Sequence, residues 1–347
     1  MNAEFIQNLP TAEQAIARLR ELGMPKRNNE LWSFFPVAKI PTPEYMGTDF
    51  ATSPAATPTE TTATAAENDF AALLPIANQA RPMIREIVNG AAEMAMLKCN
   101  NDFGHTVLDI GKDAKVSLEI LDNKVTHDIA AERFDINVGE NADVEIFFAN
   151  PACDLPLRFR HFNIKQAAGA TVRFSSICKD TAIGRVSVEC HLQGEGANFD
   201  YRSLHVLDGN ASQHSRLTIY HEAPRTTSTQ LARNLLSGSA RVSYDGSVIV
   251  GYDCTGVNSS QLVNTILMSE DASVSVKPVL KIYHDDVECT HGNTVGELDA
   301  EQMFYLVSRG IPKKAAQEML MRSFAQETFM PLPDSPAKKR LMAELGK

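Results

Sequence analysis

The sequence predicts a mainly β protein, with a β-solenoid core and helical regions at both ends. Three observations lead there. First, a short phrase recurs through the middle of the chain: a turn residue, then Ala-x-Val or Ala-x-Phe, then alternating apolar positions. It occurs as KDAKVSLEI, ENADVEIFF, AGATVRFSS, EGANFDYRS, SGSARVSYD and EDASVSVKP, centred on Ala114, Ala142, Ala170, Ala197, Ala240 and Ala272. The first four are about 28 residues apart, and a fixed period of that size signals stacked repeats that cannot bury their apolar faces alone. The later spacings widen, which suggests an inserted coil. Second, no long helical pattern separates the phrases, so a doubly wound α/β sheet is disfavoured. Third, the chain ends carry apolar residues at spacings of three and four instead of two. An antiparallel sandwich or double-sheet jelly roll also uses periodic short strands and stands as the alternative.

The N-terminal helical region is placed at residues 1–95. Thr11 and Gln14 have capping-box spacing, and Gly23 followed by Pro25 ends the helix they open. Trp32, the one tryptophan, is read as the dock of a small helical unit. Residues 41–68 are rich in Pro, Thr and Ala and lack the apolar content to offset ordering, so a flexible linker is expected there. Ile84, Ile87 and Val88 suggest a short helix leading into the core. The β-helix core is placed at 96–290 and a C-terminal helical domain at 291–347. Asp299 and Gln302 cap the first C-terminal helix, Gly310 and Pro312 end it, and Ala315, Met319, Leu320 and Phe324 form a stripe on the next. These helices are expected to plug the open end of the solenoid, whose strand edges would otherwise recruit other chains.

Composition narrows the function. A net charge of -10 argues against a general nucleic-acid binder, because phosphate contacts need clustered Lys and Arg. No apolar run approaches the length of a membrane span, and MNAEFIQNLP has no apolar signal region. Six cysteines are dispersed without a CxxC, the pattern of free thiols in a reducing compartment, so a cytoplasmic protein is expected. There is no P-loop, no G-x-G-x-x-G opening a helix, no G-x-S-x-G and no H-E-x-x-H. A carbohydrate-active solenoid using Asp285, Asp286 and Glu288 is disfavoured by 7% aromatic content, too little for stacking sugar rings.

The densest chemistry lies in YHDDVECTHGN, around residues 283–293. If this segment is extended, Asp285, Val287, Cys289 and His291 share one face, with Cys289 and His291 about 7 Å apart. A thiolate and an imidazole so placed reach one soft metal or one sulfur atom. Two ligands alone do not make a metal site. The other reading is a solvated turn at His284, Asp285, Asp286 and Glu288, with Cys289 as a small buried apolar residue.

The same stretch resembles the C-terminal signature of the SufB/SufD family of iron–sulfur cluster assembly scaffolds. DDVECTHGNTVGELD and FYLVSRGI are similar to the SufD branch, whose pattern is approximately ADDV-x-C-S-H-G-A-T-V-G. Asp285, Asp286, Val287, Cys289, His291, Gly292, Thr294, Val295 and Gly296 match it. His284, Thr290 and Asn293 depart from it, and Lys281 stands where the family usually has glutamate. Upstream, His221, Pro224, Thr226 and Ser228 match an H-x-x-P-x-T-x-S phrase, and Gly246 and Gln261 match later positions. The specific resemblance covers residues 221–325; Pro25, Glu30 and Trp32 match more weakly.

The resemblance implies a right-handed parallel β-helix and a non-enzymatic scaffold subunit. Its implied partners are SufB, paired through the solenoid edge, and the ATPase SufC, docked on the C-terminal helices. The apolar face of Phe304, Met319, Leu320 and Phe324 is the candidate SufC surface. No cofactor would be permanently bound; a transient iron–sulfur cluster would form at the SufB interface, with His291 and Cys289 as candidate ligands. The resemblance assigns the role to His291, while Cys289 stays open between ligand and core filler. In isolation the subunit can form a homodimer. Two alternatives remain: an interaction module of the same complex with no ligand of its own, and the carbohydrate-active solenoid.

Overall fold

The computed structural model describes residues 5, 7, 9–40, 69–78, 82–98, 103–121, 129–150, 157–179 and 183–346. Among them are sixteen strands. The first eight are β1 (Met83–Ile87), β2 (Ala92–Lys98), β3 (Phe103–Ile110), β4 (Lys115–Leu121), β5 (Ile129–Val138), β6 (Asp143–Asn150), β7 (Leu157–Gln166) and β8 (Thr171–Lys179). The others are β9 (Ile183–Leu192), β10 (Asn198–Leu207), β11 (Ser212–His221), β12 (Thr227–Leu236), β13 (Arg241–Val250), β14 (Val257–Leu267), β15 (Ser273–Ile282) and β16 (Val287–Gly296). Odd strands form one eight-stranded sheet from β1 to β15, and even strands form a second from β2 to β16. All pairings are parallel, for example β12 with β14 and β13 with β15. Two strands make one coil, and the stack is a β-solenoid.

The turns explain the repeated phrase. Asp113, Asn141, Gly169, Gly196, Arg225 and Gly256 all have positive φ, between 53° and 70°. Each N–H donates to a carbonyl in the next turn of the stack: Glu140, Ala168, Glu195, Pro224, Thr255 and Asp286, at 2.8–3.1 Å. The next residue in each case is Ala114, Ala142, Ala170, Ala197, Thr226 or Val257, all buried where the chain re-enters the interior. Ala240 and Ala272 do the same job at the other corner, where β13 and β15 begin. The widened spacing is therefore not an inserted coil. The phrase changes sheets, because the corners before β12 and β14 use Thr226 and Val257 in place of alanine.

Strands begin at Met83, ahead of the expected core boundary. The short helix expected over Ile84–Val88 is strand β1, in register with β3 through Ile84 and Val107. Its β-branched residues suit a pleated surface better than a helix. The strand pattern also continues past residue 290, through β16 to Gly296, and helix starts at Ala300.

Alternate residues of each strand face inward. In the first coils the interior is apolar and aromatic. Phe134 stacks on Phe162 with centroids 4.8 Å apart, Phe162 meets Phe174 edge-on at 4.8 Å, and Phe174 stacks on Tyr201 at 5.4 Å. Toward the last coils the same face becomes polar, with Gln213, Ser215, Ser228, Gln230, Ser259 and Gln261 all buried.

The helices cover outer faces. Helix α1 (Ala12–Leu22) carries the expected capping box at Thr11 and ends at Gly23. With α2 (Phe70–Asn78) and the short turns around Trp32, it packs on the outer face of the odd sheet. Trp32 is buried against Phe35, Phe70 and Phe159 at 5.1–6.2 Å, as its docking role requires. Beneath this unit Asp69 holds Arg185 through two bonds of 2.9 and 2.8 Å, and the guanidinium lies 4.1 Å from the Trp32 ring. Residues 41–68, where the linker is expected, lie outside the described residues.

At the other end, α3 (Ala300–Ser308) is capped by Asp299 and α5 (Pro336–Glu344) by Ser335; α4 (Lys313–Gln326) lies between them. The end of α4 and all of α5 do not plug the open end. They lie along the outer face of the even sheet, where Ala325, Phe329, Leu332, Ala337 and Leu341 pack on Phe147, Ile177, Leu204 and Leu235. The reason is in the strands: these four outward positions are apolar on a face that otherwise meets water.

Candidate functional site

The stack ends at β15 and β16. Among the described residues each pairs with one neighbour only, β13 and β14 respectively, so each presents one unpaired edge. β16 sits in register on β14, with Cys289 opposite Ser259 and His291 opposite Gln261. Ser259 and Gln261 are buried and β14 alternates, so Val287, Cys289 and His291 all belong to the inner face. The extended segment expected from the spacing is therefore present, and Cys289 and His291 share one side of it.

Their surroundings differ. Cys289 is half-buried against the cluster of Val248, Val250, Cys254 and Val257. Burial pushes its thiol up, against the pull of the Ser259 backbone N–H, so the group is protonated at neutral pH. His291 is exposed. The turn before them is also real: His284 Nδ1 accepts the Asp286 N–H at 3.1 Å, Asp286 accepts from Thr255, and Glu288 accepts from Asn258 at 3.0 Å. Those carboxylates organise the turn, leaving the Cys–His pair as the chemical part of the motif. No group of three or more His, Cys, Asp or Glu side chains that could hold a metal exists among the described residues. Two such side chains by themselves are too few to hold a metal.

The upstream phrase is structural. His221 is buried on the inner face of β11, with Nδ1 2.8 Å from Thr226 Oγ1 and Nε2 3.0 Å from Ser228 Oγ. Both ring nitrogens are occupied, and burial lowers its pKa to about 4. Ser228 passes the chain to Ser259 at 2.8 Å, one rung below Cys289. A parallel column, Tyr201, Gln230 and Gln261, leads to His291. Reading the sequence did not single out Gln230 or Tyr244, although polar residues at inward positions of successive strands are the signal that marks them.

The C-terminal candidates divide. Phe304 is 75% exposed and Met319 50%, and α3 buries none of its residues. Leu320 is half-buried. Phe324 packs against the even-sheet cover, 4.7 Å from the Arg233 guanidinium, so its ring serves the chain's own fold.

A parallel two-sheet solenoid with a thiol–imidazole pair on its last strand defines the class of protein. Comparison with known families gives a match to the model described as SUF system FeS cluster assembly, SufBD core domain, over residues 93–324. The chain belongs to that family and is SufD-like. It is 32% identical over 245 residues to the iron-sulfur cluster assembly protein SufD of Escherichia coli (strain K12), covering 70% of this chain and 57% of that protein. It is 27% identical over 207 residues to an iron-sulfur cluster assembly SufBD family protein of Synechocystis, covering 60% and 46%. It is 29% identical over 174 residues to the chloroplastic protein ABCI7 of Arabidopsis thaliana, covering 49% and 36%. The chain thus spans between 36% and 57% of the length of these relatives.

Proposed function

We propose that this chain is a non-enzymatic scaffold subunit for nascent iron–sulfur clusters, working in the cytoplasm. It pairs with a SufB-type subunit through the open edges of β15 and β16, and the SufC-type ATPase docks on α3 and α4. ATP chemistry belongs to that partner, in agreement with the missing P-loop in this sequence. The observation that carries the reading is the placement of Cys289 and His291 on one face of an edge strand. Two ligands are too few to hold iron, and the open edge is where a second chain would bring the rest. The cluster is cargo. His291 offers an imidazole nitrogen to it and Cys289 a sulfur, both suitable iron ligands.

The test is anaerobic reconstitution with SufB and SufC, read by the visible absorption of the cluster. His291→Ala should lower the yield while the complex still assembles, and Cys289→Ser should lower it less. If both variants reconstitute like the parent, this subunit contributes no ligand, and it is an interaction module only.

A further inference from the structure

We propose that Gln261 is a positioning residue for His291: its side-chain carbonyl accepts the N–H of one ring nitrogen and turns the other nitrogen toward the open edge. The purpose of this contact rests on the scaffold reading above; the case for the contact itself rests on the unpaired Gln261 oxygen and the register of the column. Gln230, Gln261 and His291 are successive rungs of one column on the inner face of the even sheet. Neighbouring strands lie about 4.8 Å apart, so side chains in one column meet. Gln230 Oε1 accepts from Tyr244 Oη at 2.9 Å and from Gln261 Nε2 at 3.0 Å. Donation through Nε2 leaves Oε1 as the free end of the Gln261 amide. That oxygen is buried and has no hydrogen-bond partner among the described residues, and Gln261 is only 3% exposed. A buried acceptor left unpaired is costly and rare. The next rung is His291, and a neutral imidazole carries one N–H in either tautomer.

The opposite wall leaves this amide room. Gly246 faces it from β13, where an added Cβ would lie 2.5 Å from the Tyr244 ring and 3.1 Å from Gln261 Nε2. Glycine at 246, tyrosine at 244 and glutamine at 230 thus hold one amide in one orientation beneath His291. Chemically, an imidazole ligand uses one neutral nitrogen, and an acceptor on the other selects the tautomer and fixes the ring. An amide does this without adding charge to the site.

The experiment uses the full chain, labelled with 15N-histidine, and reads the His291 tautomer from long-range proton–nitrogen correlations; His291→Ala assigns the signal. The parent should show one dominant His291 tautomer. Gln261→Met, which keeps the length but removes the acceptor, should return the ring to the mixture of a free imidazole. A parent chain already showing that mixture overturns the proposal, whether or not the variant folds. So does a variant that keeps the parent's single tautomer. No cluster is needed for this measurement. A lost tautomer preference with unchanged cluster yield in His291→Ala would therefore sink the ligand reading and leave the Gln261 contact standing.

Discussion

Acid should destabilise this protein well above the pH at which its carboxylates titrate. His161, His205, His214 and His221 are all buried, and burial holds them neutral with pKa values lowered to about 4, 4, 3 and 4. The Arg133 guanidinium adds to the effect at His161, and Arg185 adds to it at His214. In the unfolded chain each titrates near 6.5, so between about pH 6.5 and 4 the unfolded state binds more protons. Stability is then complete above that window and falls as pH drops through it. Each histidine contributes up to about 1.4 kcal/mol per pH unit, and the four together remove on the order of 10 kcal/mol by pH 4. That is comparable to the whole stability of an ordinary domain, about 5–15 kcal/mol. His191 offsets only part of the loss. Burial works against its charge, but its bonds to Glu189 and Glu222 win and raise it to about 9. Its contribution is complete below 6.5 and is lost as pH rises from there through 9, so it grows between pH 7.5 and 6.5, by about what one of the four neutral histidines loses over the assay. Asp200 and Asp245, raised by burial, give back a part at the acid end. The assay is the urea midpoint by circular dichroism at pH 7.5, 6.5 and 5.5. Among the described residues His161 has no hydrogen-bond partner on either ring nitrogen, so His161→Leu removes the titration without removing one of the hydrogen bonds seen there. It should flatten the slope by up to about 1.4 kcal/mol per pH unit. A midpoint unchanged between pH 7.5 and 5.5, or a His161→Leu slope equal to the parent's, would refute the reasoning.

Three further outcomes are expected. Asp69→Ala leaves the Arg185 charge buried without its carboxylate and should cost about 3–5 kcal/mol in urea unfolding; a loss under 1 kcal/mol would mean that the N-terminal unit is not stapled there. Phe329→Ala empties a fully buried site beneath the C-terminal cover and should cost about 3–5 kcal/mol; protease should then cut within 312–347 first, and uniform digestion would count against the outer-face packing. Phe304→Glu with Met319→Glu alters exposed residues, so stability should move by less than about 1 kcal/mol; binding to SufC should be lost, and retained binding would move that interface elsewhere.

The sequence by itself determined the local geometry. The left-handed turn residue followed by a small buried one is legible in DA, NA and GA because only certain residues take positive φ and only a small side chain fits the corner. The capping box at Thr11, the cap at Asp299 and the shared face of Cys289 and His291 are equally local, since each depends on residues a few positions apart. What only the tertiary structure decided depends on distant partners. Arg225 and Thr226 replace the usual turn pair and hid one coil, so that the phrase seemed to skip when it had changed sheets. Phe147, Ile177, Leu204 and Leu235 lie on four separate strands, and only stacking turns them into the apolar face that pulls α5 off the open end. Gln230 and Gln261 look like ordinary polar strand residues until in-register parallel pairing places them in one column under His291. A column in a solenoid is written one residue per coil, and its chemistry exists only when the coils are stacked.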